Sequence, residues 1–294
     1  MAEEIDYERE YSPSMWSKRY PTAKQVIQHH VDSVTTASLA ATKHIPHELD
    51  IEYGPTVGQK LDIFGTDLPK DAPIFVYIHG GFWQMLSRNI SRYSAGPLHH
   101  AGIKTIVIGY DLCPNVTLQH LVNEVENAAR FVFQYAENMG SRGVYFAGHS
   151  AGAHLVAKIL SNATLLTNLP GAKRLQGAFL VSGVYHLSEL LKTSVNDAVR
   201  LTEESARSLS PYFDDFTHLK DLSLRIHVIA GENDSPRFKQ QSEDIYKVLY
   251  EKYSLPNVHL DIKDNFDHFD IVECFSNDDN YLKNHLVNDI KAKL

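Results

Sequence analysis

The chain has 294 residues, of which 43% are hydrophobic and 22% are charged, and its formal net charge is −8. This composition is typical of a globular protein, and a chain of this length buries enough apolar surface to be stable without disulfide bonds. No run of Lys or Arg is long enough to follow a phosphate backbone, so the sequence argues against nucleic acid and against an anionic membrane surface. A small-molecule partner is expected.

The cysteines and the opening residues indicate the compartment. Cys113 and Cys274 are the two cysteines, and no C-x-x-C pair is available to bind zinc or to exchange disulfides. Two free thiols in a reducing compartment are favoured over one disulfide. The N-terminus is acidic and lacks the apolar region of a signal peptide, and no stretch approaches about 18 consecutive apolar residues. We therefore predict a cytoplasmic protein without a membrane span.

Residues 1–45 are predicted to form a helical segment laid on the surface, with Pro21 opening one helix and Val26, Val31, Val34 and Leu39 spaced along it. Two short alternating strands follow. Six nearly continuous apolar runs come next, and such runs suit parallel strands buried on both faces. The predicted strands cover residues 47–53, 60–64, 73–78, 104–110, 143–147, 178–182, 225–230 and 258–262.

Amphipathic segments separate these strands. One begins near Leu118 and stops at Gly140, and two more are predicted over 238–253 and 281–293. Residues 185–223 form the longest polar interruption, which we interpret as a helical, lid-like insertion. The whole pattern predicts one domain over 1–294, built on a mostly parallel, doubly wound sheet with helices on both faces.

The string Gly148-His149-Ser150-Ala151-Gly152 is the first pattern with a chemical meaning. It follows a strand-like run and precedes a helical one, which is the context of a nucleophile elbow. The glycines leave room where a Cβ would collide with neighbouring backbone, and the helix N-terminus directs partial positive charge at a developing oxyanion. The alternative is an ordinary strand-to-helix turn that contains glycine.

A second glycine turn, His79-Gly80-Gly81, follows the strand over 73–78. The N–H groups of Gly80 and Gly81, with that of Ala151, are expected to converge on a substrate oxygen as its carbonyl carbon becomes tetrahedral. His79 is expected to orient this loop through a hydrogen bond. The alternative is again a plain glycine turn. Two such turns, each after a strand and in the expected order, argue against a chance occurrence.

A nucleophilic serine needs a base and a group that orients the base. His268 follows the last predicted strand and is the predicted base. Asp234 follows the strand before it and is the predicted acid, with Glu232 as the competing carboxylate of the same loop. The chain order of serine, acid and histidine is the order found in α/β-hydrolases.

The remaining histidines do not indicate a metal. The chain has 16 histidines, but it contains no H-E-x-x-H string, and the adjacent pairs cannot face one ion from one helix face. No metal and no cofactor are therefore predicted. His149 lies within the elbow string, where its side chain is expected to line the pocket.

Taken together, these strings resemble the kynurenine formamidases (arylformamidases), which belong to the hormone-sensitive-lipase-like branch of the α/β-hydrolases. Most members of that branch have a third glycine in the oxyanion loop. Here Phe82 and Trp83 follow the glycine pair, as in the formamidase-like H-G-G-x-W variant. The resemblance extends from about Ile51 to the C-terminus and includes the segment around Tyr11 to Tyr20.

The resemblance implies roles for residues already named. Its triad positions fall on Ser150, Asp234 and His268, and its oxyanion donors fall on the amides of Gly80, Gly81 and Ala151. The activity that it implies is hydrolysis of N-formyl-L-kynurenine to L-kynurenine and formate through a formyl-serine. It also implies an α/β-hydrolase fold and, typically, a homodimer.

Phe82, Trp83 and His149 are the predicted substrate-binding residues. Because formyl is the smallest acyl group, Trp83 is expected to fill an acyl site that an esterase leaves open. Two alternatives remain at this point, namely a general carboxylesterase of the same branch and a noncatalytic binding protein of the same fold. A comparison of kcat/KM for N-formylkynurenine with that for a short aryl ester separates the carboxylesterase from the activity that the resemblance implies.

The insertion and the N-terminal segment are expected to cover the pocket together. In that arrangement Tyr185, Phe213 and Phe216 would stack on the aryl ring of the substrate, the alternative being that they pack in the core. No residue is identified from the sequence as the group that holds the α-amino acid end of the substrate.

Overall fold

Eight strands form one sheet in the computed structural model, which describes residues 5–292. They are β1 (His47–Glu52), β2 (Lys60–Phe64), β3 (Ile74–Ile78), β4 (Lys104–Ile108), β5 (Val144–His149), β6 (Leu175–Val181), β7 (Arg225–Gly231) and β8 (Val258–Lys263). Their order across the sheet is β1-β2-β4-β3-β5-β6-β7-β8. β2 runs antiparallel to both β1 and β4, and all the other neighbours are parallel. All eight predicted strands are therefore confirmed.

The central strands are buried on both faces. Every residue of β3, β4 and β5 is buried. Along β3, Ile74, Val76 and Ile78 belong to one hydrophobic cluster, whereas Phe75 and Tyr77 belong to another. Because side chains alternate across a strand, the two clusters lie on opposite faces of the sheet. This arrangement confirms the doubly wound α/β-hydrolase fold.

The α-helices are α1 (Tyr7–Glu10), α2 (Ala23–His44), α3 (Ala95–His100), α4 (Leu118–Met139), α5 (Ala151–Ser161), α6 (Ala163–Asn168), α7 (Val195–Val199), α8 (Glu203–Ser208), α9 (Pro236–Lys247), α10 (Asp270–Glu273) and α11 (Tyr281–Lys291). A π-helical turn, Val248–Lys252, continues α9. Single 3₁₀ turns are Pro13–Met15, Arg88–Ile90, Pro170–Arg174, Ser188–Lys192, Pro211–Phe213, Thr217–Asp221 and Cys274–Ser276. Residues 1–4 of the expected N-terminal segment and Lys293 of the expected last helix lie outside the described residues.

Helix α4 begins and ends where its sequence predicts. The Thr117 hydroxyl accepts a hydrogen bond from the backbone N–H of His120 at 3.2 Å, which caps the first turn. Gly140 follows the last turn with a φ of 66°, in the left-handed region that glycine enters without a Cβ penalty. The helix packs its apolar stripe on the sheet and thereby covers the strands that carry the site.

The inner face of helix α2 includes only some of the apolar residues spaced along it. Val26 and Val34 are buried, whereas Leu39 is 65% exposed. The buried face consists of Val26, His30, Val34, Ser38 and Ala41. The polar members are accommodated by hydrogen bonds, since the Ser38 hydroxyl accepts one from the backbone N–H of Arg92 at 3.0 Å. An apolar pattern does not reveal such a face.

Residues 185–223 contain α7, α8 and three of the short 3₁₀ turns, so their helical character is confirmed. Both cysteines, Cys113 and Cys274, are free thiols. Within residues 5–292, none of the helices combines the length and the apolar character that crossing a bilayer requires.

Candidate active site

Ser150 lies at a sharp corner between β5 and α5. Its backbone has φ 54° and ψ −118°, a conformation that side-chain-bearing residues seldom adopt. A Cβ on Gly148 would lie 2.2 Å from the carbonyl oxygen of Gly152, and a Cβ on Gly152 would lie 2.1 Å from the carbonyl oxygen of Ile78. Both glycines are therefore required for this corner, and the turn has the geometry of a nucleophile elbow.

The loop after β3 approaches the same corner. A Cβ on Gly80 would lie 3.1 Å from the Ser150 Cβ, so the backbone of Gly80 is packed against the serine. Gly81 has a φ of +102°, and a Cβ there would lie 2.3 Å from the carbonyl oxygen of Met85. Ala151 is the first residue of α5, and its amide therefore has no acceptor within the helix. These placements put candidate oxyanion donors on both sides of the serine.

His79 holds the glycine loop, as expected from the sequence. Its Nδ1 donates a hydrogen bond to the carbonyl oxygen of Gly80 at 2.8 Å. Complete burial lowers the pKa of His79 to about 4, against a smaller opposing effect of that hydrogen bond. The Tyr110 hydroxyl donates to the carbonyl oxygen of His79 at 2.8 Å and its ring stacks on the imidazole. A neutral, fixed imidazole therefore supports the loop and is not placed to exchange protons with a substrate.

Asp234 is the carboxylate that contacts His268. The His268 Nδ1 donates to the Asp234 Oδ2 at 2.8 Å, and the backbone N–H of Ser235 donates to the Asp234 Oδ1 at 2.7 Å. Asp234 and His268 are 1% and 2% exposed. The competing Glu232 is exposed and accepts from the backbone N–H of Asn265 at 2.9 Å. The structure thus pairs His268 with Asp234 and places Glu232 in a neighbouring turn.

His149 connects the elbow with the histidine loop. Its Nε2 donates to the backbone carbonyl oxygen of His268 at 2.8 Å, and the centroids of the two rings are 4.7 Å apart. Burial lowers the pKa of His149 well below its usual range, and the proximity of His268 and His30 lowers it further. The ring is therefore neutral, and its single N–H is used to fix the position of the loop.

A cavity of about 360 Å³ opens at the elbow. Ser150 and His268 both line it, together with Gly81, Phe82 and His149. The structure therefore brings the predicted nucleophile, the predicted base, one loop glycine and two of the predicted substrate-binding residues to one space. Its volume lies in the range of small-molecule sites.

Trp83 does not line this cavity. The indole is completely buried, belongs to the main hydrophobic cluster and meets the His154 ring edge-on with centroids 5.0 Å apart. Both Phe82 and Trp83 have a positive φ, 48° and 59°, so the chain turns sharply between the cavity and the core. Phe82 stays at the cavity while Trp83 is directed into the core. Whether the buried indole fills an acyl site therefore stays a prediction.

The aromatic residues of the insertion also lie elsewhere. Tyr185 and Phe216 are completely buried in the main hydrophobic cluster. Phe213 is 37% exposed and packs on Tyr212 and His186. None of the three lines the cavity, so the alternative of core packing is correct for the two buried residues. Of the residues 185–223, only Ser194 and Val195 reach the cavity.

The N-terminal segment supplies much of the cavity wall, which the sequence did not reveal in residue detail. Eight of its residues line the cavity, namely Glu8, Tyr11, Ser12, Pro13, Ser14, Ile27, His30 and Val31. The Tyr11 hydroxyl donates to the Glu189 carboxylate at 2.7 Å and accepts from the Gln241 amide at 2.8 Å. The Glu8 carboxylate accepts from the backbone N–H of Ser194 at 2.7 Å. The segment is thus fastened across the cavity by hydrogen bonds to distant parts of the chain.

Arg19 fastens the same segment to the loop that carries His268. Its Nε lies 2.7 Å from the Asp267 Oδ2, and its Nη1 lies 2.7 Å from the Glu273 Oε2. Burial acts to raise the pKa of Asp267, but hydrogen bonds from Arg19 and Ser17 outweigh it and lower that pKa to about 2. Asp267 directly precedes His268, so this ion pair restrains the backbone of the candidate base.

No set of three or more His, Cys, Asp or Glu side chains among the described residues is arranged to hold a metal ion. The groups at the elbow are a serine hydroxyl, an imidazole paired with a buried carboxylate, and nearby backbone amides. Such a set can perform nucleophilic acyl transfer.

The sequence matches the family model Abhydrolase_3, described as an alpha/beta hydrolase fold, over residues 75–244. It is 38% identical over 279 residues to a kynurenine formamidase of Salmo salar, an alignment that covers 94% of this chain and 93% of the relative. A kynurenine formamidase of Danio rerio is 37% identical over 284 residues, with 96% and 94% covered. The chain belongs to the kynurenine formamidase family of α/β-hydrolases.

A solved structure of the same fold is that of the Pyrobaculum calidifontis esterase. It superimposes with a TM-score of 0.68 at 17% sequence identity, and the alignment covers 92% of both chains. At this identity the likeness supports the fold alone. The structural neighbour therefore supports the fold, and the sequence relatives identify the family.

Proposed function

We propose that this protein hydrolyses N-formyl-L-kynurenine to L-kynurenine and formate. The observation that carries the proposal is the similarity to kynurenine formamidases along almost the whole chain. The chemistry of the cavity supports it, because an elbow serine and an aspartate-linked histidine line one space of suitable size. The substrate is a linear aryl formamide, so the enzyme is an amide hydrolase (arylformamidase).

In the first half-reaction the Ser150 Oγ attacks the formyl carbon while its proton passes to the Nε2 of His268. The oxyanion accepts hydrogen bonds from the amides of Gly80, Gly81 and Ala151. The carbon–nitrogen bond then breaks, and His268 returns the proton to the departing aryl amine. Kynurenine leaves, and the formyl group remains as an ester of the serine.

In the second half-reaction His268 removes a proton from a water molecule as its oxygen attacks the formyl carbon. The new tetrahedral adduct collapses, the ester bond to Ser150 breaks, and the serine recovers its proton from His268. Formate is released. Asp234 stays ionised throughout and holds the imidazole in the required tautomer, which is the role of the acid in such triads.

The decisive experiment is turnover of N-formyl-L-kynurenine by wild type and by Ser150→Ala, with kynurenine and formate measured in equal amounts. Loss of the nucleophile is expected to reduce k_cat by at least about 10⁴-fold, because triad groups act as a unit. A fluorophosphonate is expected to label wild type and not the variant. An unchanged thermal unfolding temperature of the variant excludes misfolding as the cause, and full turnover by the variant would refute the mechanism.

A general carboxylesterase of the same branch is the competing function, because the same groups cleave esters. The ratio of k_cat/K_M for N-formyl-L-kynurenine to that for a short aryl ester separates the two. A ratio well above one supports the formamidase and a ratio well below one supports the esterase. A noncatalytic binding protein is disfavoured, since such relatives have typically lost a triad member whereas here Ser150, Asp234 and His268 are all present.

We propose the cytosol as the location, in keeping with the free thiols. A small molecule is the proposed partner, and a homodimer is proposed because the resembled family is typically dimeric. Light scattering on the purified protein tests the oligomeric state, and a mass equal to one chain would refute the dimer.

A further inference from the structure

His30 is a cavity residue that the acyl-transfer chemistry does not use. It lies on the inner face of α2, is only 5% exposed, and lines the cavity together with Ser150 and His268. Its ring centroid is 5.2 Å from that of Phe269 and 6.5 Å from that of His149. A buried imidazole in this position needs an explanation, because burying a polar group without a partner is unfavourable.

One ring nitrogen of His30 is fixed and the other remains available. The Nδ1 donates to the Glu273 Oε1 at 3.0 Å. The Nε2 has no hydrogen-bond partner among the described residues. It is also not among the completely buried polar atoms that have no partner, so it keeps some exposed surface. It is therefore an atom of the cavity wall with unused hydrogen-bonding capacity, held in one orientation by Glu273.

A carboxylate with a lowered pKa faces the fixed nitrogen of His30. Burial acts to raise the pKa of Glu273, but hydrogen bonds from His30 and Arg19 outweigh it and lower that pKa. Arg19 is shared between Glu273 and Asp267, so one guanidinium faces two carboxylates. Because Nδ1 donates its N–H to Glu273, Nε2 can donate to a second anion only when the ring is an imidazolium. An imidazole held between two carboxylates in this way would present one N–H donor to each of them.

His30 is also the one imidazole among the described lining residues that is left for an anion. The described residues that line it include no lysine and no arginine. Its other two imidazoles are committed, since His268 is paired with Asp234 and the N–H of His149 is donated to the His268 carbonyl. Apolar side chains, among them Ile27 and Val31, flank His30 on α2 and provide a surface for an aryl ring.

We propose that His30, oriented by Glu273, binds the α-carboxylate of the substrate as an imidazolium, through a charge-assisted hydrogen bond from Nε2. This inference rests on the proposed function, because it assigns the part of N-formyl-L-kynurenine that the acyl-transfer groups leave unbound. The aryl ring then lies between the formyl group at Ser150 and the carboxylate at His30. His30 is a specificity-determining residue and takes no part in proton transfer.

The test compares three substrates in four proteins. The substrates are N-formyl-L-kynurenine, the analogue in which hydrogen replaces the α-carboxylate, and the analogue in which hydrogen replaces the α-amino group. The proteins are wild type, His30→Ala, His30→Gln and His44→Ala, the last being a matched loss of an exposed histidine from the same helix. His30→Gln keeps a donor without charge and guards against a folding defect in His30→Ala.

We expect His30→Ala to lower k_cat/K_M for N-formyl-L-kynurenine by about 10- to 100-fold, mainly through K_M. The same substitution should lower kcat/KM equally for the analogue without the amino group, but by less than about twofold for the analogue without the carboxylate. The kcat/KM of His30→Gln should lie between those of wild type and His30→Ala, and that of His44→Ala should match wild type.

Equal losses on all three substrates would show a merely structural role and overturn the proposal. A loss that disappears when the amino group is removed, and persists when the carboxylate is removed, would assign His30 to the opposite end of the amino acid and also overturn it. Failure of wild type to hydrolyse N-formyl-L-kynurenine while it cleaves aryl esters would refute the proposed function itself. That outcome is seen in wild type alone, so the two failures are distinguishable.

Discussion

His149 and His268 are joined by a hydrogen bond of 2.8 Å from the His149 Nε2 to the backbone carbonyl oxygen of His268. The residue that precedes the candidate nucleophile thus holds the loop that carries the candidate base. Because burial lowers the pKa of His149 well below its usual range, the ring carries one N–H, and this bond uses it. The two halves of the catalytic arrangement are therefore mechanically linked without a direct role for His149 in chemistry.

The first prediction concerns this link. His149→Ala should lower k_cat by about 10- to 100-fold, because small displacements of a reacting group are costly in rate. His149→Gln carries an N–H donor at a similar distance from the backbone and should recover most of the rate. Steady-state kinetics on N-formyl-L-kynurenine checks both. Equal rates in His149→Gln and His149→Ala would show that the hydrogen bond is not what matters.

The second prediction separates the two carboxylates of the loop after β7. Asp234→Asn should reduce k_cat by about 10⁴-fold, because the amide cannot hold His268 in the tautomer that accepts the serine proton. Glu232→Gln is the matched control, since an amide oxygen can still accept from the Asn265 N–H, and it should retain nearly full activity. The reverse ranking in a kinetic comparison would make Glu232 the acid.

The third prediction uses the close approach of the glycine loop to the elbow. In Gly80→Ala the new Cβ would lie 2.9 Å from the His149 carbonyl oxygen and 3.1 Å from the Ser150 Cβ, so the loop must move. Displacing an oxyanion donor should cost about 10²- to 10³-fold in k_cat.

The control for this change is Gly96→Ala, because a Cβ on Gly96 meets nothing within 4 Å. It lies within α3, so alanine should stabilise the protein by about 0.4–1 kcal/mol and leave k_cat unchanged. Thermal unfolding and kinetics measure the two effects. Wild-type activity in Gly80→Ala would remove this loop from the oxyanion site.

The fourth prediction is a dependence of stability on pH at Asp270. Burial and the negative charge of Asp267 raise the pKa of Asp270 to about 7. A carboxyl whose folded pKa is raised above its unfolded value of about 3.9 stabilises the fold less and less as pH rises through about 7. Asp270→Asn mimics the protonated form. At pH 8 its free energy of unfolding should therefore exceed that of wild type by about 1 kcal/mol, which raises the unfolding temperature by about 2 °C.

This expected stability difference is smaller than the full pKa shift would give, because the carboxyl is partly exposed and solvent screens its interactions. The stability difference between Asp270→Asn and wild type should shrink as pH falls from 8 to 4.5. Unfolding curves at the two pH values measure it. A difference that is the same at both would show that Asp270 is ionised, or neutral, over the whole range.

The fifth prediction follows from the position of Trp83 in the core. Trp83→Gly should lower the free energy of unfolding by about 3–5 kcal/mol, the usual cost of removing a large buried side chain. If Trp83 fills an acyl site, the folded variant should also gain turnover of acetyl or butyryl substrates. An unchanged preference for formyl over these larger groups would show that it does not.

The sheet could be predicted from the sequence because its central strands are buried on both faces. Continuous apolar runs then mark each strand within one to three residues. The largest deviation is β6, which begins at Leu175 although the prediction began at residue 178. Gln176 and Gly177 interrupt the apolar run there, while the backbone continues to pair with β5.

The triad loops could be predicted for a related reason, since each follows a recognisable strand. The cavity wall formed by residues 8–14 and by α2 could not be predicted in the same way. Its contacts join residues far apart in the chain, such as Arg19 with Asp267, and they are made by polar groups that complement each other only in the folded protein. His30 is an example, because its inward direction depends on Glu273 and leaves no trace in an apolar pattern.

The attachment of Ser17 and Arg19 to Asp267 and Glu273 has a consequence for biosynthesis. Ser17 and Asp267 are separated by 250 positions, so much of the chain must be synthesised between them. Ser17 and Arg19 therefore have no partner for this attachment until the loop that carries His268 has left the ribosome. A growing polypeptide would accordingly complete its catalytic cavity only after that loop has emerged.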